Sequence, residues 1–228
     1  FQQLSQAAGE MIEHYIIAKP NCVLGLATGS TPLDLYKYLI EGYKKRGVCY
    51  DGVLTFNLDE YVGLPKGHEH SYHTFMQENL FQHIPFKQNY IPETIGNLVV
   101  NGQHYDGLLG QYGPIDIQIL GIGANGHIGF NEPGSSFKET THVVQLQSST
   151  IQQNARFFDC LEDVPQEAIT MGIQNIMQAK HIILLIAGES KTGALALLQT
   201  EVVTEDFPAS ILWQHPNVTV IIDKKICL

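Results

Sequence analysis

What the chain lacks sets the first bounds. It has no run of Lys or Arg: 13 basic residues stand against 23 acidic ones, for a formal net charge of −10. Proteins that grip nucleic acid or an anionic membrane surface carry a basic patch or a polybasic run, so neither is expected as a partner. No apolar run approaches the roughly 20 residues of a membrane-spanning helix, and no signal peptide is visible. The expected compartment is therefore the cytoplasm. The four cysteines, Cys22, Cys49, Cys160 and Cys227, form no C-x-x-C pair and show no metal-ligand spacing, which reads as reduced thiols. No linker, repeat or low-complexity stretch interrupts the chain. It begins at Phe1 and not at Met, so a truncated start is expected.

What is present is an ordinary globular composition: 228 residues, 44% hydrophobic and 16% charged, enough to bury a core as a single domain over 1–228. Short apolar runs alternate with segments of helical period. The runs are 22–27, 53–58, 115–120, 182–187 and 218–222, with a further short strand at 141–146. Helices are predicted over 3–17, 33–45, 72–81 behind a Ser71 cap, 99–110, 149–158, 164–179 and 192–198. Residues 85–98 read as irregular, and Asp206 to Pro208 reads as the start of a short helix. Near-continuous apolar strands separated by helices imply an open α/β fold: a mostly parallel, Rossmann-like sheet flanked by helices on both faces. In that fold the loops at Thr28–Thr31, Asp59, Gly121–Glu132 and Gly188–Lys191 gather at one edge.

The most informative stretch runs from Ile115 to Gly134. A strand breaks into glycines at 121, 123, 126 and 129, with Asn125, His127 and Glu132 among them. Gly121-Ile122-Gly123-Ala124-Asn125-Gly126 fits G-x-G-x-x-G, but a dinucleotide site needs a helix to open at the third glycine. The next eight residues, His-Ile-Gly-Phe-Asn-Glu-Pro-Gly, make a poor helix. A plain glycine turn is the bland alternative. A histidine, a carboxylate and an amide in one glycine loop favour an acid–base site.

The second candidate is Thr28-Gly29-Ser30-Thr31-Pro32, between a strand and a helix, with Thr31 suited to the cap and Pro32 to the first helical position. A helix amino terminus with small donors binds anions, although an ordinary βα turn has the same outline. Lys191 lies in a first helical turn, where it opposes the macrodipole unless an anion shares that end. Asp59-Glu60-Tyr61 places carboxylates at a strand end. His68-x-His70-x-x-His73 could suggest a metal, but no fourth ligand stands at a recognisable spacing, and no metal is expected.

Three stretches, Leu24 to Pro32, Thr55 to Pro65 and Leu120 to Pro133, closely resemble the glucosamine-6-phosphate deaminases, as do Asn154 to Phe158, Glu189 to Lys191 and Pro208 to Ser210. The resemblance covers essentially the whole chain. It implies conversion of glucosamine 6-phosphate and water to fructose 6-phosphate and ammonia, in amino-sugar catabolism, with no metal or organic cofactor. It further implies that Asp59 moves a proton from C2 to C1, that His127 takes part in ring opening and that Glu132 orients or relays to it. Lys191, Arg156 and the backbone of Thr28, Gly29, Ser30 and Thr31 would hold the phosphate. The segment 143–162 is the candidate lid.

Two departures bear on regulation and tuning. Longer relatives carry aspartate where this chain has Asn125, which as an amide can only orient the imidazole by hydrogen bonding. Allosteric relatives carry basic residues near the positions of His142 and Val144, and a longer carboxyl-terminal segment. The amino-terminal strand common in the family also has no counterpart before the first helix. A monomer or small homo-oligomer, unresponsive to N-acetylglucosamine 6-phosphate, is expected in place of an allosteric hexamer. The competing readings are a 6-phosphogluconolactonase-like esterase, against which Tyr61 and Asn131-Glu132-Pro133 speak, and a non-catalytic sugar-phosphate-binding regulator, which would need no carbon base.

Overall fold

Residues 2–226 are described in the computed structural model. Cys227 lies outside that range, whereas Cys22, Cys49 and Cys160 are free thiols. In chain order the elements are α1 (Gln2–Ala18), β1 (Val23–Leu26), α2 (Leu33–Glu41), β2 (Leu54–Asn57), β3 (Asp59–Tyr61) and α3 (Tyr72–Met76). Next come β4 (Gln88–Tyr90), α4 (Leu98–Tyr112), β5 (Ile117–Gly121), β6 (His142–Gln145) and α5 (Ser148–Asn154). The last are β7 (Glu167–Thr170), α6 (Ile173–Ile176), β8 (Ile182–Ile186), α7 (Thr192–Leu198) and β9 (Val218–Ile222).

Among the described residues, six strands form a sheet in the order β4-β2-β1-β5-β8-β9, every pairing parallel. β1, β2 and β8 are buried throughout, as strands covered on both faces must be. Alternate side chains feed two cores. Leu24, Leu26, Ile119 and Ile183 pack with Ile12 of α1 and Tyr36 and Leu39 of α2. Val23, Phe56, Leu120 and Leu184 pack with Tyr105 of α4, Ile173 of α6 and Leu195 of α7. The open α/β architecture read from the sequence is the one observed. None of the described helices is long and apolar enough to cross a membrane.

The chain winds from β1 outward to β2 and β4, then returns to place β5 on the other side of β1. The switch point between β1 and β5 opens a crevice at the carboxyl ends of the strands, where α/β proteins bind ligands. The opposite edge is pinned by Asp116. Its buried carboxylate accepts from Lys19 Nζ (2.7 and 2.8 Å), Lys180 Nζ (2.8 Å), Tyr15 Oη (3.1 Å) and the Val23 amide (2.9 Å).

Four local expectations are corrected. Residues 164–179 are not one helix: β7 pairs antiparallel with both β3 and β6 in a second sheet, and only the short α6 comes after it. Pairing on both strand edges, with Ala168, Ile169 and Thr170 all buried, outweighs the helical period of Ile169, Ile173 and Ile176. Residues 85–98 include the edge strand β4. The α2 cap is Pro32, with no side-chain hydrogen bond, and not Thr31. At Pro208–Gln214 the helix is a 3₁₀ helix entered from Phe207, again without a side-chain cap. The Ser71 cap is as expected, its hydroxyl accepting from the Thr74 amide at 3.0 Å.

Candidate active site

The switch point opens into a cleft of about 840 Å³. Its walls include Thr28–Thr31 after β1, Asp59 at the start of β3, Gly121–Ala124 and His127 after β5, and Gly188, Ser190 and Lys191 after β8. Loops far apart in sequence thus meet at one edge, as the alternation of strands and helices requires.

Asp59 stands where the chain leaves the main sheet. Leu58 is anchored on both sides, its amide donating to Leu26 O (3.1 Å) and its carbonyl accepting from the Met171 amide (2.6 Å). Asp59 is 5% exposed, and it lines the cleft. Burial, with the adjacent Glu60 charge adding to it, pushes its carboxyl up to about 8. The neighbouring carboxylate has a different role. Glu60 turns aside and accepts from the amides of Tyr61 (2.9 Å), Tyr72 (2.8 Å) and His73 (2.8 Å), tying β3 to the start of α3.

The glycine loop shapes the histidine. A Cβ on Gly123 would lie 2.4 Å from the His127 ring, and one on Gly126 (φ +88°) would lie 2.2 Å from the Phe207 ring. Larger residues at these positions would displace the imidazole or the loop. His127 Nδ1 faces Glu132 Oε2 at 3.4 Å, off the line of a hydrogen bond. Asn125 does not orient the ring through its side chain, as the sequence suggested. Its Nδ2 donates to Glu132 Oε2 at 2.8 Å, and its Oδ1 accepts from the His127 amide at 3.3 Å. Asn125 therefore orients the carboxylate that faces the ring. Burial acts to raise the Glu132 carboxyl, but the nearby His127, with Thr150 and Asn125 donating, outweighs it and holds the group below the usual glutamate range.

Lys191 and Arg156 line the same cleft as the Thr28–Thr31 turn. Burial lowers the Lys191 amine from its ordinary value, and the Arg156 charge lowers it further. Two cations in a cleft beside a turn rich in amide and hydroxyl donors have the chemistry to bind an anion. Lys191 itself occupies the cap position of α7.

The candidate lid forms one wall, with Thr150, Gln152, Asn154, Arg156 and Phe158 lining the cleft. Two groups escaped the sequence reading. Thr150 on α5 donates its hydroxyl to Glu132 Oε1. An aromatic wall packs Tyr72 on Phe130 (ring centroids 5.9 Å, 9° between planes) and Tyr61 against Phe158 (6.0 Å), with Asn154 Nδ2 donating to Tyr61 Oη at 2.8 Å. In the His68–His70–His73 run, the His70 ring packs 4.6 Å from that of Phe158 and 5.4 Å from that of His68. Among the described residues no group of three or more His, Cys, Asp or Glu side chains is arranged to hold a metal ion.

Known proteins resemble this chain in sequence and in fold. A glucosamine-6-phosphate deaminase of Geobacillus sp. (strain WCH70) is 51% identical over 227 residues, covering 98% of this chain and 90% of the relative. One from Staphylococcus epidermidis is 53% identical over 208 residues, covering 90% of this chain and 86% of the relative. The solved structure of a monomeric glucosamine-6-phosphate deaminase superposes with a TM-score of 0.97 at 46% identity, covering 98% of this chain and 94% of that one. A 6-phosphogluconolactonase from Leishmania guyanensis shares the fold, with a TM-score of 0.78 at 23% identity over 99% of this chain and 96% of its own. The family described as glucosamine-6-phosphate isomerases/6-phosphogluconolactonase matches residues 1–221, and this chain belongs to it.

Proposed function

We propose that the protein converts glucosamine 6-phosphate and water to fructose 6-phosphate and ammonia. The observation that carries this reading is a buried carboxylate, Asp59, and a His127–Glu132 pair lining or backing one cleft that Lys191 and Arg156 also line. A lactone hydrolase has no use for a base directed at a C–H bond. A sugar-phosphate-binding regulator has no use for it either.

In this reading the phosphate sits between Lys191, Arg156 and the Thr28–Thr31 turn, with Gly29 and Ser30 contributing amides. The ring lies against the aromatic wall. His127 takes the proton of the C1 hydroxyl and returns one to the ring oxygen, giving the open-chain aldehyde. Asp59 then removes the C2 proton and delivers it to C1, while a proton passes from the C2 ammonium group to O1, so that the C1 aldehyde becomes a hydroxymethyl group and C2 an iminium. The C2 iminium adds water and releases ammonia. Burial, with the Glu60 charge adding to it, favours the protonated form of Asp59 near pH 7, and a positively charged amino group entering beside it favours the ionised form that the step needs.

The test is ammonia release from glucosamine 6-phosphate, with hydrolysis of 6-phosphogluconolactone measured beside it. Ammonia release at turnover, with negligible lactone hydrolysis, is the expected result. Lactone hydrolysis without ammonia, or binding without either product, overturns the reading.

A further inference from the structure

We propose that Thr150 is a positioning residue for ring opening, holding Glu132 in the orientation that serves His127. The inference rests on the deaminase reading and extends it to a side chain outside the glycine loop.

Glu132 is 4% exposed and has donors on both oxygens. Oε2 is occupied by Asn125 Nδ2 at 2.8 Å and faces His127 Nδ1 at 3.4 Å. Asn125, His127 and Glu132 all ride on the same glycine-rich segment, so their mutual contacts move with it. Oε1 is held from elsewhere: its donor is the Thr150 hydroxyl of α5, which is 3% exposed. A second tie comes from the residue before α5, since Gln147 Oε1 accepts from Asn125 Nδ2 at 3.4 Å where the helix begins.

A buried carboxylate oxygen stripped of its donor turns to find another. Rotation about the terminal bond of Glu132 would carry Oε2 off the His127 ring nitrogen, which among the described residues has no hydrogen-bond partner to hold it in register. Ring opening asks the imidazole to accept one proton and give another, so it suffers first. Proton abstraction at C2 by Asp59 does not pass through Glu132. α5 also presents Gln152 and Asn154 to the cleft and runs on to Arg156, one of its two cations. One short helix therefore ties the anion site to the ring-opening residues.

The experiment compares Thr150→Val and Thr150→Ser with the parent enzyme, following ammonia release with ordinary and C2-deuterated glucosamine 6-phosphate. For Thr150→Val, kcat falls about 10- to 100-fold, the loss expected of one hydrogen bond to a charged group, while KM changes by less than about threefold. The deuterium effect on kcat shrinks toward one, because ring opening has become limiting. Thr150→Ser recovers most of the rate. A Thr150→Val enzyme with parental kcat overturns the proposal, as does a slowed enzyme that keeps the parental isotope effect or is not rescued by serine. Absence of ammonia from the parent would instead remove the deaminase reading itself.

Discussion

Asp59 sets the clearest pH dependence. Burial holds its carboxyl up to about 8, with the charge of Glu60 adding to the effect. A base must be ionised, so in the free enzyme the reactive form accumulates as pH rises through that value. The expected kcat/KM climbs about tenfold per pH unit below pH 8 and levels off above it; a flat profile from about pH 6 to 9 contradicts the assignment. Stability responds with the opposite sign. The folded chain keeps a proton that the unfolded chain releases above the ordinary aspartate value of 3.8, so this group makes the fold less stable as pH rises from about 4 to about 8. Asp59→Asn removes that titration. Its melting temperature should exceed the parent's at about pH 8, and the gap should close toward about pH 4. Asp59, His127 and Glu132 were legible in the sequence as candidates, because each stands in a motif, and the fold brings Asp59 and His127 to one cleft with Glu132 beside the imidazole. Thr150 was not: it lies 18 residues from its partner in a Ser/Thr/Gln segment that carries no chemical signature of its own. Asn125 was legible as a site residue but not in its target, since side-chain direction within a glycine loop depends on φ values that sequence does not constrain.

Among the elements, the best test is the anchor beneath the sheet. Asp116 joins α1, through Tyr15 and the adjoining Lys19, to the start of β8, through the adjoining Lys180. Burial acts to raise its carboxyl, but hydrogen bonds from Lys180 and Lys19, with the Val23 amide, outweigh it and hold the group below the usual aspartate range. Asp116→Asn should cost about 2–3 kcal/mol by urea unfolding at about pH 7, less than a fully enclosed pair because both lysines remain partly exposed. The stabilisation is present above the ordinary aspartate value and is lost as pH falls through the depressed folded one. Parent and variant should therefore converge in acid, and a difference that stays constant down to about pH 3 would contradict this. The parallel strands other than the short edge strand β4, and the long helices, could be read because their periods are strong. β7 could not, because four residues that pair on both edges owe their state to β3 and β6, whose pairing no local period announces.

For the molecule as a whole, the order β4-β2-β1-β5-β8-β9 is what brings four loops into one cleft. Parallel connection rules made that convergence foreseeable, whereas the second, antiparallel sheet that backs Asp59 has no signature in period or composition. The solved structure that superposes at a TM-score of 0.97 is of a monomeric deaminase, and in this chain neither His142 nor Val144 is a lysine or arginine. Rate against substrate should be hyperbolic, and N-acetylglucosamine 6-phosphate should not activate; sigmoidal kinetics relieved by that effector would contradict this. Everything proposed for the cleft depends on one buried carboxylate moving the C2 proton in a deaminating isomerisation. The decisive comparison is ammonia release from glucosamine 6-phosphate by the parent and by Asp59→Asn, with binding of the sugar phosphate followed by calorimetry. Binding should be retained while turnover falls by about 10²–10⁴. Parental turnover in Asp59→Asn would contradict that role.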